Sequence, residues 1–196
     1  MIKLGVTGGI GSGKTSVCKV FSTFGIPIFS ADEEAKKAME VDTGIILRLN
    51  AIAGKDIYAS GTLDRAELAK LIFNNRFMLA KVNSVVHPAV FSRFGEWVKK
   101  QKAPYIIMEA AILFESGGAE IVDRVVTVTA PVEERIERVV RRSNIAKEEV
   151  MERIKNQMSD SDKIKLSDYV IDNSENAMII PAVLNIHNHI LNHLIN

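Results

Sequence analysis

Apolar residues fall along this chain in short unbroken blocks separated by longer stretches of helical spacing. Residues 2 to 7, 26 to 30, 104 to 108, 123 to 130 and 168 to 173 are blocks rich in Ile, Val, Leu and Phe, bounded by Gly, Pro, Ser or Asp. They read as five strands buried on both faces. Between the first two, KTSVCKVFSTFG places apolar residues at 17, 20, 21 and 24, a helical spacing that Gly25 can end. DEEAKKAME after the second block is a charged helix former, and 44 to 102 is mostly helical in pattern. There Thr62 is a candidate helix cap, Leu63, Leu68, Leu71 and Ile72 share a face, and Pro88 is expected to interrupt the following helix. The stretch from Pro131 to Met158 reads as helical with a break at Ser143-Asn144, and the C-terminal AMIIPAVLNIHNHILNHLIN reads as an amphipathic helix. Strands alternating with helices predict an α/β fold, a parallel sheet covered on both faces.

Composition narrows this little but excludes much. The chain has 196 residues, enough for one domain with its own core. A net charge of +1 gives no overall pull toward nucleic acid or membrane. The single cysteine, Cys18, forbids an internal disulfide, suggests a reducing compartment, and reads as a small buried apolar residue. Glycines break the N-terminal apolar run too early for a signal peptide, and YIIMEAAILF is too short to span a bilayer. A cytoplasmic protein is expected. The oligomeric state stays open, a monomer being slightly favoured.

The chemistry starts at GGIGSGKT, Gly8 to Thr15, which fits G-x-x-x-x-G-K-[ST] between a predicted strand and a predicted helix. Glycines let the backbone turn its N–H groups onto phosphate oxygens, and the helix beginning near Lys14 adds the positive end of its dipole. Lys14 can reach the β- and γ-phosphates, and the Thr15 hydroxyl can ligate Mg²⁺. A nucleoside triphosphate is therefore the expected ligand. No N-K-x-D element occurs, which argues against a GTPase, and the size argues for a small-molecule kinase.

Such an enzyme needs a carboxylate for the acceptor proton, an acid beside the metal, and arginines over the transferred charge. Asp32 lies just past the second strand, at the edge where doubly wound sheets bind ligands, and also reads as a helix N-cap. Glu109 ends the third strand, where it can support Mg²⁺ through water or simply face solvent. Arg135, Arg138, Arg141 and Arg142 share a helix with Glu133, Glu134 and Glu137, which is either a solvated face or a lid. His87-Pro88 alone reads as structural. His189 and His193 have zinc-pair spacing but no third ligand.

The order of several segments carries more than any one motif. LGVTGGIGSGKTSV, FGIPIFSADEEAKKAM, GTLDRAELAKLIFNN, LAKVNSVVHPAV, IIMEAAILFES, RRSNIAKEEVMERIKNQM and SDYVIDNS follow one another along nearly the whole chain. In that order they resemble the dephospho-coenzyme A kinases. The resemblance implies a P-loop NTPase fold, with a five-stranded parallel sheet, helices on both faces, a helical substrate-binding region and a lid. Within a single domain over 1–196, the core would be 1–35, 104–132 and 165–196, the helical region about 36–103, and the lid about 133–164. It implies ATP over Gly8, Gly9, Ile10, Gly11, Ser12, Gly13, Lys14, Thr15 and Ser16, with Mg²⁺ on Thr15 and, through water, Glu109. Arg138 would meet the nucleotide and Asn173 would sit near adenine. The 3′-hydroxyl of dephospho-coenzyme A would attack the γ-phosphorus, with Asp32 as base and substrate contact. Lys14 and Arg142 would hold the developing charge, and His87 and Glu115 would shape the acceptor pocket. The sequence departs from the family pattern at Ser30, Ala111, Asn144 and Glu175. Another nucleoside or nucleotide kinase, or a nucleotide-binding protein without catalysis, is the alternative.

Overall fold

The computed structural model describes residues 1–73 and 75–195, the side chains of 194 and 195 apart. Asn74 and Asn196, which fall in two of the runs expected to be helical, lie outside the described residues. The elements are β1 (Ile2–Thr7), α1 (Lys14–Thr23), β2 (Ile28–Ser30), α2 (Ala31–Val41), α3 (Thr43–Ala53), α4 (Arg65–Ile72) and α5 (Arg76–Val98). They continue with β3 (Tyr105–Glu109), β4 (Arg124–Thr129), α6 (Val132–Ser143), α7 (Lys147–Lys155), α8 (Asp160–Lys165), β5 (Tyr169–Asp172) and α9 (Ile179–Ile195). The chain divides into two compact units, residues 1–30 with 101–196, and residues 31–100.

The first unit is the sheet. Its order is β2-β3-β1-β4-β5, and all pairings are parallel, so every strand ends at the same edge. The five expected strands are all present, and the period-two pleat explains the apolar blocks. Leu4 and Val6 of β1, Tyr105 and Ile107 of β3, and Val126 and Val128 of β4 are fully buried with Val17 and Phe21 of α1 and Val183 of α9. Each such side chain removed from water contributes about 1.5–3 kcal/mol. The alternate residues meet the other face: a Cβ on Gly5 would lie 2.6 Å from Leu113, and the Thr127 hydroxyl is 2.6 Å from that of Ser167. Both faces are thus covered, as parallel sheets require. Cys18 is buried in this core, as its neighbours in sequence suggest.

α1 stops where Gly25, at φ 76°, turns its N–H back onto Ser22 O. α6 stops at Asn144, a non-glycine residue at φ 51°, in the left-handed region that Asn tolerates. The break expected at Ser143-Asn144 is there for that reason.

The second unit is helical, with α5 packed against α2, α3 and α4. Two sequence expectations fail in it. Pro88 does not interrupt α5, which runs unbroken from Arg76 to Val98. An internal proline costs about 3 kcal/mol, but Val82, Val85, Val86, Val90 and Phe94 of this helix are all buried, and their burial exceeds that cost. Pro88 and Ser84, the residue whose carbonyl loses its partner, are both exposed, so water can serve that carbonyl. Nor does Thr62 cap α4. Asp64 does, its carboxylate accepting from Ala66 N at 3.1 Å and Glu67 N at 3.0 Å. Leu63, buried at the preceding position, draws the chain into the unit before the helix begins.

The cap assignment makes a sharp prediction. Asp64→Ala is expected to cost about 1 kcal/mol, within the usual 0.5–2 for a lost cap, whereas Thr62→Ala stays within about 0.5 kcal/mol. Urea unfolding of the two variants checks it.

Candidate active site

The link from β1 to α1 is built almost without side chains. Gly8, Gly11 and Gly13 have φ of 147°, 79° and 93°, conformations that L side chains rarely adopt. The protein also leaves no room for them. A Cβ on Gly8 would lie 2.2 Å from Val128 O, on Gly11 2.4 Å from Arg135 O, and on Gly13 1.9 Å from Asn173 Nδ2. The result is a concave backbone pressed against β4, α6 and the end of β5. The Ser12 hydroxyl is buried with no hydrogen-bond partner among the described residues. α1 begins at Lys14 after Gly13 as its N-cap, and the Ser16 and Val17 N–H groups both turn back onto Gly13 O, at 2.9 and 3.1 Å. An orphaned hydroxyl, the positive end of a helix dipole and a cradle that any Cβ would fill suit a polyphosphate.

Lys14, though buried, folds over this cradle, its Nζ donating to Gly8 O at 3.0 Å and Gly9 O at 3.5 Å. The Thr15 hydroxyl donates to the Glu109 carboxylate at 2.8 Å. Strand register explains that meeting: Glu109 pairs with Val6, one residue before the end of β1. A hydroxyl and one carboxylate are the hard oxygen donors that Mg²⁺ takes while keeping several waters. The residues therefore fit that ion. Burial above all, then the Glu109 charge, pushes the Cys18 thiol well above its ordinary value despite the Lys14 ammonium, so Cys18 is inert.

The expected arginines separate into different jobs. Arg135 is buried, its Nε donating to Ile10 O at 2.9 Å and its Nη1 pairing with Asp160 at 2.7 Å. It straps α6 to the back of the loop. Gln157 takes the Ile10 N–H at 2.9 Å, so Ile10 is held at both ends of its peptide. Arg138 pairs with Glu134 at 2.8 Å, while its Nη1 is buried without a partner among the described residues. It lines a cavity of about 500 Å³ with Glu134, Glu137, Val140, Arg141 and Glu175. Arg141 and Arg142 are exposed in the last turn of α6, and among the described residues neither forms an ion pair. Asn173 donates to Ser12 O at 2.8 Å, fixing the far end of the loop.

The remaining expected residues stand in other places. Asp32 is the second residue of α2, in its first turn with Glu33 and Glu34, directly after β2. His87 is half-buried in α5, and burial pulls its imidazole below the ordinary value. Glu115 accepts from Met158 N at 2.8 Å and pairs with Lys163 at 3.1 Å.

A family model described as dephospho-CoA kinase matches residues 2–178. This chain belongs to the dephospho-CoA kinase family. A dephospho-CoA kinase from Bacteroides fragilis is 41% identical over 184 residues, covering 93% of this chain and 90% of its own. Among solved structures, a Thermus thermophilus protein is 32% identical with a TM-score of 0.85, covering 96% of each chain. The dephospho-CoA kinase of Campylobacter jejuni shares the fold, with 24% identity, a TM-score of 0.69, and 97% of this chain and 98% of that one covered.

Sequence reasoning placed 157–163 within the lid and gave it no contact with the phosphate loop, to which Gln157 attaches directly and Asp160 through Arg135. Gln157 lies near the end of RRSNIAKEEVMERIKNQM, and Asp160 and Lys163 sit in a run, DSDKIK, that looks like a solvated face. No local pattern marks which of those charges turns inward.

Gly11→Ala tests the backing of the loop. Its Cβ would strike a backbone carbonyl at a left-handed φ. The variant is expected to lose about 1–3 kcal/mol of stability and most of its ATP affinity, read by thermal unfolding with and without Mg-ATP.

Proposed function

We propose that the chain transfers the γ-phosphoryl group of ATP to the ribose 3′-hydroxyl of dephospho-coenzyme A, giving coenzyme A and ADP. The observation that carries this reading is the Thr15–Glu109 contact of 2.8 Å at the mouth of a phosphate loop, in a chain of this family. The cradle of Gly8 to Ser16 binds the triphosphate, and its nucleoside end lies toward Asn173 and the cavity beside Arg138. Thr15 would hold Mg²⁺, with Glu109 supporting it through water. When bound, that ion screens the phosphate oxygens and offsets the charge that develops between the β- and γ-groups.

Lys14 exchanges its two loop carbonyls for the γ-phosphate and follows the group as it transfers. Asp32 orients the acceptor hydroxyl and takes its proton, which the exposed first turn of a helix after β2 permits. Arg142, exposed and without an ion pair among the described residues, is available to close over the transferred group. Residues about 36–103 serve as the acceptor-binding region, where His87, its imidazole pulled below the ordinary value by burial, is an acceptor contact, and Glu115 is proposed as a further one. Residues 133–164 serve as the lid.

Incubation with Mg-ATP and dephospho-coenzyme A tests the reaction, with the product identified by mass and by the position of the new phosphate. Coenzyme A is the expected product, with adenosine and shikimate inert as acceptors. ATP binding without transfer would overturn the acceptor and keep the phosphate loop. Asp32→Asn is expected to lower kcat by about 10²–10⁴ with both substrates still bound; unchanged turnover would remove Asp32 as the base. Arg142→Ala should lower kcat by about 10²–10³ and raise KM for ATP much less. Full activity in that variant would move the role to Arg138 or Arg141.

A further inference from the structure

We infer that Lys163 is a positioning residue for this reaction: it fixes the Glu115 carboxylate and through it sets the affinity for the acceptor. The inference rests on the proposed place of Glu115 in the acceptor pocket.

Lys163 is completely buried, which lysines rarely are. Its ammonium donates to Ala111 O at 2.9 Å and pairs with Glu115 Oε1 at 3.1 Å. The same oxygen accepts the Met158 N–H at 2.8 Å. Glu115 is thus gripped twice, by Met158 in the stretch between α7 and α8 and by Lys163 of α8. The neighbouring acids are engaged elsewhere, Asp160 with Arg135 and Asp162 with Ser159 and Lys165. Glu115 is therefore the carboxylate that this buried charge serves.

The purely structural alternative is that Lys163 only fastens α8 to the sheet. A buried ion pair is a poor fastener, because desolvation consumes most of its attraction and a well-packed apolar residue often does as well. What a methionine of similar volume cannot do is orient a carboxylate. The loop being oriented starts immediately after Glu109, and its Ala111 carbonyl also lies 3.5 Å from the Thr7 hydroxyl at the end of β1. Lys163 therefore fixes a loop that springs from the strand bearing the metal-side acid.

The test is steady-state kinetics on the full chain, with Mg-ATP and dephospho-coenzyme A varied in turn, for Lys163→Met, Glu115→Gln and the double variant. Thermal unfolding reports which variants are folded. If Lys163→Met does not fold, Lys163→Arg, which keeps the charge but changes its reach, takes its place. Each single variant is expected to raise KM for dephospho-coenzyme A about 10- to 100-fold, to leave KM for ATP within about threefold, and to be no worse in combination. A raised acceptor KM in Glu115→Gln but not in the Lys163 variant would overturn the role of Lys163 and leave that of Glu115 standing. An unchanged acceptor KM in Glu115→Gln would remove Glu115 from the pocket, and Lys163 with it. Lowered stability with both KM values unchanged in all variants would make the pair a fastener only.

Discussion

A loop that binds phosphate with its own backbone has no side chains to hold its shape, so the protein behind it must do so. Here a buried guanidinium carries much of that task. Arg135 takes the Ile10 carbonyl, is held by Asp160, and presents its own backbone and side chain to Gly9 and Gly11. A guanidinium suits the position because its planar fork serves a carbonyl and a carboxylate at once and cannot lose its charge. Gln157 and Asn173 complete the frame at Ile10 N and Ser12 O. The shape of the cradle is thus held by the protein's own hydrogen bonds at three points of its backbone.

The sheet supplies the other half of the arrangement. Parallel pairing of β1 with β3 brings Glu109 level with Val6 near the end of β1, and the loop then curls back to set Thr15 against it. Because side chains alternate, the same strands bury Leu4, Val6 and Ile107 on one face while their ends carry the chemistry at the edge. Packing and chemistry do not compete for positions, since the first uses the faces of the sheet and the second its C-terminal rim. The segment 157–163 lies behind both loops, with Gln157 on Ile10 and Lys163 on Ala111 and Glu115. One short stretch after α7 therefore fixes the positions of two loops that leave different strands.

Local sequence was sufficient wherever the physics is local. The five strands, the Gly25 and Asn144 helix stops and the strand–loop–helix around Lys14 follow from pleat period, helical spacing and left-handed backbone at Gly or Asn. It misled where a local preference was outweighed. Pro88 carries a helix-breaking penalty, but the buried valines on either side of it hold α5 straight through it. Thr62 and Asp64 are both competent caps, and the burial of Leu63 selects the second.

The sequence alone determined the α/β alternation, the phosphate loop and the family, because each is written in residues adjacent along the chain or in the order of short motifs. Tertiary structure alone decided which charges face inward. Arg135, Arg138 and Arg142 share one helix and one composition, yet the first is a buried strap, the second half-paired beside a cavity and the third exposed. Lys163 and Lys165 are two residues apart, and only the first is enclosed. The reason is that burial of a charge depends on partners far away in sequence, here Asp160 for Arg135 and Glu115 for Lys163, and no local period records them.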